Sequence, residues 1–381
     1  MICETIFKEL VGLFRGYLSP VIFVFGLVGN IFVIRIFTDK PLRNRFAIYS
    51  IFLAGSHVII LVVDTFLDDF IGRGLAYAAY GKCNNHGFKL DTISNASCKT
   101  MQYIPDTMYS ISSWIFVVFS LDRALTIYRP LLFYSTLHTK KSLIFCCVVV
   151  VLSFIINVPL VVGSGLQINK SQNVTFVKCD LLTESQFYIT RIELYIKMIF
   201  SFILPTFIIL ILNSFIIIIL FQIKKSRRDL MPTDRAKNGL EMNRVIGHLG
   251  LSSFFLLLAF PLIITMFVRT NWTGRANENL NDKMFLEKLG DLSRLFSSLK
   301  DISYAADFYI YVLFLNNFRW YFLDHLIDIL RCCIPKSKRL NEWKFTVQFR
   351  LSGYSRRLSI PKKISLGIDN AGYQCEFHTR F

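Results

Sequence analysis

The sequence predicts an all-α membrane protein, a seven-transmembrane helix bundle with its N-terminus outside the cell. The first observation is composition: 53% of the 381 residues are hydrophobic and only 18% are charged, whereas soluble domains carry about 25% charged residues. The second is that the apolar residues form seven runs, each at least roughly the 20 residues that cross a hydrocarbon core. The third is the distribution of positive charge. The runs cover residues 17–37, 46–67, 101–124, 142–163, 192–223, 245–268 and 292–315.

Each run is predicted to be a helix, and the runs are numbered here as predicted helices 1 to 7. A bilayer offers no hydrogen-bond partners to the backbone, so only helices and closed barrels span it. A barrel would require alternating segments of about ten residues, and the sequence contains none. Predicted helices 2, 3 and 7 are the most polar and are therefore expected to face other helices.

The charge distribution predicts the orientation. Four segments together carry +16 of the net charge of +17. They are residues 38–46, 122–142, 222–245 and 317–381. Because Lys and Arg accumulate in cytoplasmic loops, we expect residues 1–16 to be a short extracellular N-terminus and the C-terminus to be cytoplasmic, in a multi-pass protein of the plasma membrane. The same distribution argues against nucleic acid as the partner of the basic residues.

Glycosylation sequons and cysteines fit this orientation. All four sequons fall in segments predicted to lie outside. They begin at Asn95, Asn169, Asn173 and Asn271. Cys98 and Cys179 also lie on that side, in the oxidising compartment where a disulfide persists. Cys83 is outside as well, and Cys3 is its candidate partner.

The segment after predicted helix 7, residues 316–333, is expected to be an amphipathic helix on the inner membrane surface. Its apolar face consists of Phe318, Phe322, Leu326 and Ile329. Such a helix lies in the membrane interface, and the following Cys332 or Cys333 is a candidate site of acylation. Residues 334–381 form a basic tail whose low apolar content favours disorder. The tail contains "RRLS", a basophilic-kinase pattern at Ser359, although short motifs of this kind are mostly chance.

Six short motifs occur in order along the predicted helices. They are "GLVGN" (26–30), "LAGSH" (53–57), "DRA" (122–124), "FILP" (202–205), "FLLLAFP" (255–261) and "DFYIY" (307–311). In addition, Cys98 precedes Arg123 by 25 residues. Together these features resemble the signatures of rhodopsin-like G protein-coupled receptors over about residues 17–333. The last motif is most similar to the receptors of FMRFamide-type neuropeptides, which indicates a divergent invertebrate branch.

The resemblance implies an activation switch near the inner end of predicted helix 3. Its expected members are Asp122, Arg123, Glu241, Phe255, Pro261 and Tyr311. In the resting receptor Asp122 and Glu241 would hold Arg123, because a buried arginine is costly without partners. Agonist binding would move predicted helix 6 and free Arg123 for a heterotrimeric G protein. The alternative is an ion pair at the membrane edge without function. The resemblance also implies a disulfide between Cys98 and Cys179.

The sequence departs from the family pattern at several positions. Ala124 ends the DRY motif, Ala259 replaces the helix 6 Trp, and a histidine replaces the acid of the family's sodium site. By resemblance, the positions around that ion are Asn30, His57, Ser112 and Asp307. Because a bare carboxylate at mid-membrane is costly, we expect His57 to pair with Asp307 in place of sodium. The alternative is a neutral His57 that bonds Ser112 or Asn30.

Polar residues in the outer half of the bundle are the candidate ligand-binding residues, since intramembrane charges mark function by default. They are Asp64, Gln102, Asp106, Lys197, Arg294, Lys300 and Asp301. Amine receptors of the family place an Asp eighteen residues before the DRY arginine, where this chain has Pro105. The long charged loop of about residues 68–97 favours a larger ligand, so we expect a neuropeptide. Internal pairing, such as Asp64 with Lys300, is the alternative reading of these charges.

Other functions remain alternatives at this point. A receptor for a small non-peptide ligand fits the same motifs. A light receptor would need a Schiff-base lysine, and Lys300 lies one residue from the family's position. A seven-helix transporter would leave the DRY-like spacing unexplained. No nucleophile elbow, phosphate loop or metal-spaced histidine cluster occurs, so we predict neither an enzyme nor a cofactor.

Overall fold

The computed structural model describes residues 6–39, 44–80, 90–128, 137–171, 174–181, 198–226, 235–273 and 280–333. These ranges are mostly helical, and the predicted all-α membrane bundle is confirmed. The chain consists of two units, Met1–Ile310 and Tyr311–Phe381. The first unit contains the helix bundle, and the second contains the end of the seventh helix and one further helix.

Among the first four long helices, α1 and α2 each contain a π segment and α4 has a break, whereas α3 is continuous. α1 runs without a break through Ile6–Leu13, a π segment Phe14–Leu18 and Ser19–Thr38. α2 runs through Arg45–Ile60, a π segment Leu61–Gly74 and Leu75–Tyr80. A short 3₁₀ turn, Leu90–Thr92, precedes α3, which covers Asn95–Tyr128. α4 covers Leu137–Ile156 and Val158–Gly163.

The remaining helices follow in the same order as the predicted runs. α5 comprises a π segment Met198–Ile203 and Leu204–Ser226. α6 covers Arg235–Thr273 without interruption at Pro261. α7 comprises Leu280–Ala305 and Asp307–Phe314, and α8 covers Asn316–Cys333. Within the second unit, the Tyr311 ring lies 5.7 Å from that of Phe318, seven residues later.

Six of the described helices, α1 to α6, are long and apolar enough to cross a membrane. α7 is more polar, because it buries charged residues along its length. These are Asp291, Lys300, Asp301 and Asp307. Such residues are tolerated only where other helices face them, so α7 packs against the bundle rather than presenting this surface to lipid.

The helices of the first unit pack in sequence order around α3. α1 contacts α2 and α7, α6 contacts α5 and α7, and α3 contacts α2, α4 and α5. Gly26 in α1 permits one close approach, since a Cβ there would lie 2.7 Å from both Ala305 Cβ and Leu61 Cδ1. Small residues at such crossings allow membrane helices to pack tightly.

The N-terminal end of α1 differs from the expected bounds. We predicted residues 1–16 as a segment preceding the first helix, but α1 begins at Ile6. Its first turns are amphipathic, and Val11 and Phe14 are buried whereas Lys8 is exposed. The charge of Arg15 limited the predicted apolar run; in the structure this residue is buried beside Asp69. An ion pair inside the bundle therefore extends the helix beyond the run that hydropathy detects.

Other helix ends differ for a related reason. α2 continues to Tyr80, and α6 extends from Arg235 to Thr273, beyond their predicted runs. Hydropathy reports where a helix crosses the apolar core, whereas backbone hydrogen bonds decide where it ends. α4 breaks at Asn157, two residues before Pro159, because proline lacks the N–H that the helix requires.

A β-hairpin follows α4, where the sequence indicated only a loop. β1 (Ser164–Ser171) pairs antiparallel with β2 (Val174–Leu181), and Leu166 stands opposite Cys179. The segment of β2 contains Val, Thr and Phe, which favour strands. This composition is visible in the sequence, but a segment of only eight residues does not by itself distinguish a strand from a loop.

Candidate functional site

A polar cavity of about 220 Å³ opens between α1, α2, α3, α5, α6 and α7. The parts of the helices around it are those nearest to Cys98, so we call this the disulfide end of the bundle. Four of the predicted ligand-binding residues line the cavity. They are Asp64, Asp106, Arg294 and Lys300. The charges of both signs that the sequence placed in this half of the bundle therefore meet at one cavity.

Lys300 lies at the cavity wall inside a group of aromatic rings. Its side chain is 2% exposed, and its Nζ lies 4.6 Å from the ring centre of Phe202, 4.7 Å from Tyr109, 5.4 Å from Tyr304 and 5.6 Å from Phe255. An ammonium within about 6 Å of a ring centre is attracted to the face of the ring. We call these four rings, one each from α3, α5, α6 and α7, the Lys300 cage.

The two acids expected near Lys300 have other partners. Asp64 accepts a hydrogen bond from the Tyr109 hydroxyl. Asp301 accepts one from Thr65 Oγ1 at 3.0 Å and is 1% exposed. Asp301 is thus part of the contact between α7 and α2, and it is absent from the cavity lining.

Gln102, another predicted ligand residue, does not join the cavity lining. Gln102 Nε2 lies 3.3 Å from Cys179 Sγ, so this side chain contacts the disulfide instead. Lys197 lies outside the described residues, and its expected role stays a prediction. Of the described candidates, Asp301 and Gln102 are therefore the two that the structure does not bring to the cavity.

Three ion pairs of the disulfide end, none of which the sequence predicted, hold the cavity walls. Arg15 Nε lies 2.9 Å from Asp69 Oδ1, and Ser298 Oγ donates to Asp69 Oδ2 at 2.7 Å. This contact joins α1, α2 and α7. Arg73 pairs with Asp68 at 2.8 Å, and Arg294 pairs with Asp291 at 2.8 Å. The detectable signal for Arg15 was the amphipathic pattern around it, which marks a helix rather than a loop.

The disulfide between Cys98 and Cys179 joins the start of α3 to β2, with their Cα atoms 5.5 Å apart. Asn95 Oδ1 accepts a hydrogen bond from the backbone N–H of Leu166 at 3.4 Å, so β1 also contacts this end of α3. Of the glycosylation candidates, Asn95 and Asn271 are exposed. The side chains of Asn169 and Asn173 lie outside the described residues.

A fully buried histidine joins three helices at the middle of the bundle. His57 Nδ1 in α2 lies 2.7 Å from Asp307 Oδ2 in α7, and His57 Nε2 lies 2.8 Å from Ser112 Oγ in α3. His57, Ser112 and Asp307 are each 0% exposed. Asn30, the fourth predicted member, instead donates to the carbonyl oxygens of Gly26 and Tyr304, both at 2.9 Å.

These residues do not fit a sodium ion. Hard cations require several oxygen ligands, but the helix 2 position holds an imidazole and the single carboxylate already bonds to it. Within the described residues no group of three or more His, Cys, Asp or Glu side chains is arranged to hold a metal ion. Ser112, His57 and Asp307 have the connectivity of a nucleophile, base and orienting acid, but Ser112 is fully buried and no substrate reaches it.

Arg123 is buried at the opposite end of the bundle, which we call the Arg123 end. Its guanidinium bonds to the Asp122 carboxylate and lies 5.8 Å from the ring centres of Phe46 and Phe119. Arg45, at the start of α2, donates to the same Asp122 carboxylate at 2.9 Å. The sequence did not single out Arg45. This residue lies in the basic segment 38–46, and the orientation of the chain in the membrane already accounts for the positive charge of that segment.

A second contact, also absent from the sequence predictions, joins α3 to α6 beside Arg123. His248 Nε2 lies 2.9 Å from Ser120 Oγ, and the imidazole lies 4.2 Å from the Phe119 ring. His248 is 0% exposed. The side chain of Glu241 lies outside the described residues, so its expected contact with Arg123 stays a prediction.

The other predicted switch residues lie along α6 and α7. Phe255 is buried and stacks on Phe116 of α3, with ring centres 4.9 Å apart. The carbonyl of Pro261 accepts a hydrogen bond from Thr265 Oγ1 at 3.0 Å. The side chains of Cys332 and Cys333, together with Ser359, lie outside the described residues.

A family described as "7 transmembrane receptor (rhodopsin family)" matches residues 29–296, which is more than half of the chain. No curated protein matches the sequence. The matched range begins within α1 and ends within α7, so it includes His57 and Arg123 but stops before Lys300 and Asp307.

Proposed function

Because this chain belongs to the rhodopsin family of seven-transmembrane receptors, we propose that it binds an extracellular neuropeptide and activates a heterotrimeric G protein. Signalling as a receptor follows from the family. The nature of the ligand and of the intracellular partner is our proposal. The observation that carries it is the cavity at the disulfide end, where charged groups of both signs face a shared space.

The disulfide end is proposed to face the outside of the plasma membrane. This orientation places the positively charged segments in the cytoplasm, as the positive-inside rule requires. It also places the exposed Asn95 and Asn271 where glycosylation takes place. The Arg123 end then faces the G protein, and α8 lies on the inner leaflet with lipid attached at Cys332 or Cys333.

A peptide suits the cavity better than an amine does. The cavity contains basic as well as acidic side chains, whereas an amine requires only an acid. Its volume of about 220 Å³ lies below the roughly 300–1,000 Å³ of sites that enclose drug-sized ligands. We therefore expect only the end of a peptide to enter it. The same small volume favours the second candidate, a compact non-peptide ligand that is enclosed completely.

Coupling is proposed to use the buried Arg123. In the structure it is 2% exposed and shares Asp122 with Arg45. Movement of α6 would remove the His248 imidazole from beside Phe119 and open the space around Arg123. Glu241 is expected to oppose this movement through Arg123, so its loss should raise basal signalling.

The proposal is tested by expressing the full chain and screening invertebrate peptides, with amidated and with free C-termini, for G protein activation. We expect at least one peptide to activate the wild type, and Arg123→Ala to keep binding while losing activation. A response limited to small non-peptide compounds would favour the second candidate. Ligand-independent ion current in the absence of any G protein response would contradict both.

A further inference from the structure

Lys300 differs from the other cavity cations because none of the described carboxylates lies within ion-pair distance of it. Arg15, Arg73 and Arg294 each lie within 2.9 Å of a carboxylate oxygen. Among the described residues no carboxylate lies within ion-pair distance of the Lys300 ammonium, and Asp301, Asp64 and Asp106 attract it only from farther away. Its own neighbour Asp301 is turned towards Thr65.

A buried ammonium without a carboxylate is unfavourable, and ring faces compensate for its lost hydration only in part. The free-energy cost of burying this ammonium is explained if it binds an anionic group of the ligand. Lys300 lines the cavity, so such a group reaches it from the disulfide end.

We propose that Lys300 is the anion-binding residue of the ligand site and takes a carboxylate of the ligand. This inference rests on the proposed function of the cavity. The carboxylate is either the free C-terminus of a peptide or an acidic side chain near its end, because both present the same oxygen pair to an ammonium. Ring stacking around the bound pair excludes water and strengthens the attraction.

The position of Lys300 also connects the ligand to α6. Its cage includes Phe255 of α6, and Phe255 stacks on Phe116 of α3. A carboxylate that draws the ammonium towards the cavity weakens its contact with Phe255. Since Ala259 occupies the place of the family's helix 6 Trp, this lysine-to-Phe255 contact supplies a different route from ligand to α6.

The first experiment uses the unliganded receptor and needs no knowledge of the ligand. Lys300→Met removes the charge but keeps a flexible chain that packs favourably on aromatic rings. The melting temperature of purified, full-length Lys300→Met is expected to equal or exceed that of the wild type. Lys288→Met, in the exposed part of the same helix, is the matched control. A fall in melting temperature for Lys300→Met beyond that of Lys288→Met would show a structural partner for the ammonium and overturn the proposal.

The second experiment uses four hexapeptide pools as probes. The pools differ only in a free or amidated C-terminus and in Asp or Asn at one fixed position. We expect pools with a carboxylate to raise the wild-type melting temperature more than the uncharged pool, and the effective pool identifies which carboxylate is used. This difference should vanish in Lys300→Gln and persist in Lys288→Gln.

The outcomes separate the inference from the proposed function. If peptides activate the wild type and Lys300→Gln keeps the full preference for carboxylates, the anion site is wrong while the receptor function stands. If no pool binds or activates the wild type, the peptide proposal fails, and the unliganded melting temperatures alone decide whether Lys300 has a structural partner.

Discussion

Replacement of His57 by Leu provides a quantitative test of the buried contact between α2 and α7. Asp307 Oδ2 bonds to the imidazole, and its Oδ1 has no hydrogen-bond partner among the described residues. In His57→Leu the carboxylate is therefore left in a fully buried site without its partner. Removing one member of a buried ion pair costs about 3–5 kcal/mol.

Two further variants calibrate this value. Ser112→Ala removes only the hydrogen bond at His57 Nε2, which is worth about 0.5–1.5 kcal/mol. The double variant His57→Leu/Asp307→Leu replaces both partners by apolar side chains, a change that is often neutral or stabilising. The double-mutant cycle should thus give a coupling free energy of about 3 kcal/mol or more. If His57 and Asp307 were both neutral, the coupling free energy would be only about 1 kcal/mol.

The assay is thermal unfolding of purified receptor in sodium chloride and in choline chloride. By the size dependence of unfolding, His57→Leu should lower the melting temperature by about 5 °C. Because an imidazole rather than an ion compensates Asp307, exchanging the salts should leave the wild type unchanged. The exchange His57→Asp/Asp307→Asn returns the acid to α2 and should introduce sodium dependence. Strong sodium dependence of the unmodified receptor would refute the reasoning.

Three further predictions concern the two ends of the bundle. Cys98→Ala should lower surface expression and ligand binding together, because it detaches β2 from α3; mass mapping that finds Cys98 and Cys179 as free thiols in surface-purified receptor would contradict this. Arg123→Ala should abolish G protein activation with ligand binding retained, and unchanged activation would remove its assignment as the coupling residue. Arg15→Met should cost about 3–5 kcal/mol in unfolding free energy, whereas the control Arg35→Met, whose ion pair is 64% exposed on the arginine side, should cost less than about 1 kcal/mol.

The number and order of the membrane helices could be predicted because the bilayer imposes a minimum apolar length. The helix ends could not be predicted, because they depend on contacts with side chains of other helices. Arg15 shortens the apolar run in the sequence but lies inside α1 in the structure, compensated by Asp69. Gly74 shows the same dependence: a Cβ there would overlap the Arg15 carbonyl oxygen, so the π segment of α2 packs against α1 at this glycine.

The candidate site was predictable where a motif fixes the register. His57 and Asp307 occupy motif positions and Ser112 was placed by the same resemblance, and the structure brings the three within hydrogen-bond distance. The surroundings of Lys300 were not predictable in this way. Adjacent residues of a helix point about 100° apart, so Lys300 faces the cavity while Asp301 faces α2. These directions depend on how α7 is rotated about its own axis, and hydropathy does not give that rotation.

The changed sodium site is connected by contacts to Lys300. Lys300 contacts the Tyr304 ring, the Tyr304 ring lies 4.9 Å from the His57 imidazole, and His57 bonds to Asp307. His57 and Asp307 alone look like the loss of the family's sodium site. Together with Lys300 they place a cation at the cavity and a compensated acid below it, joined by one aromatic ring. Contact alone does not establish energetic coupling, but independent losses would have no physical reason to meet at Tyr304. We therefore interpret these positions as a substituted signalling core rather than as a degraded one.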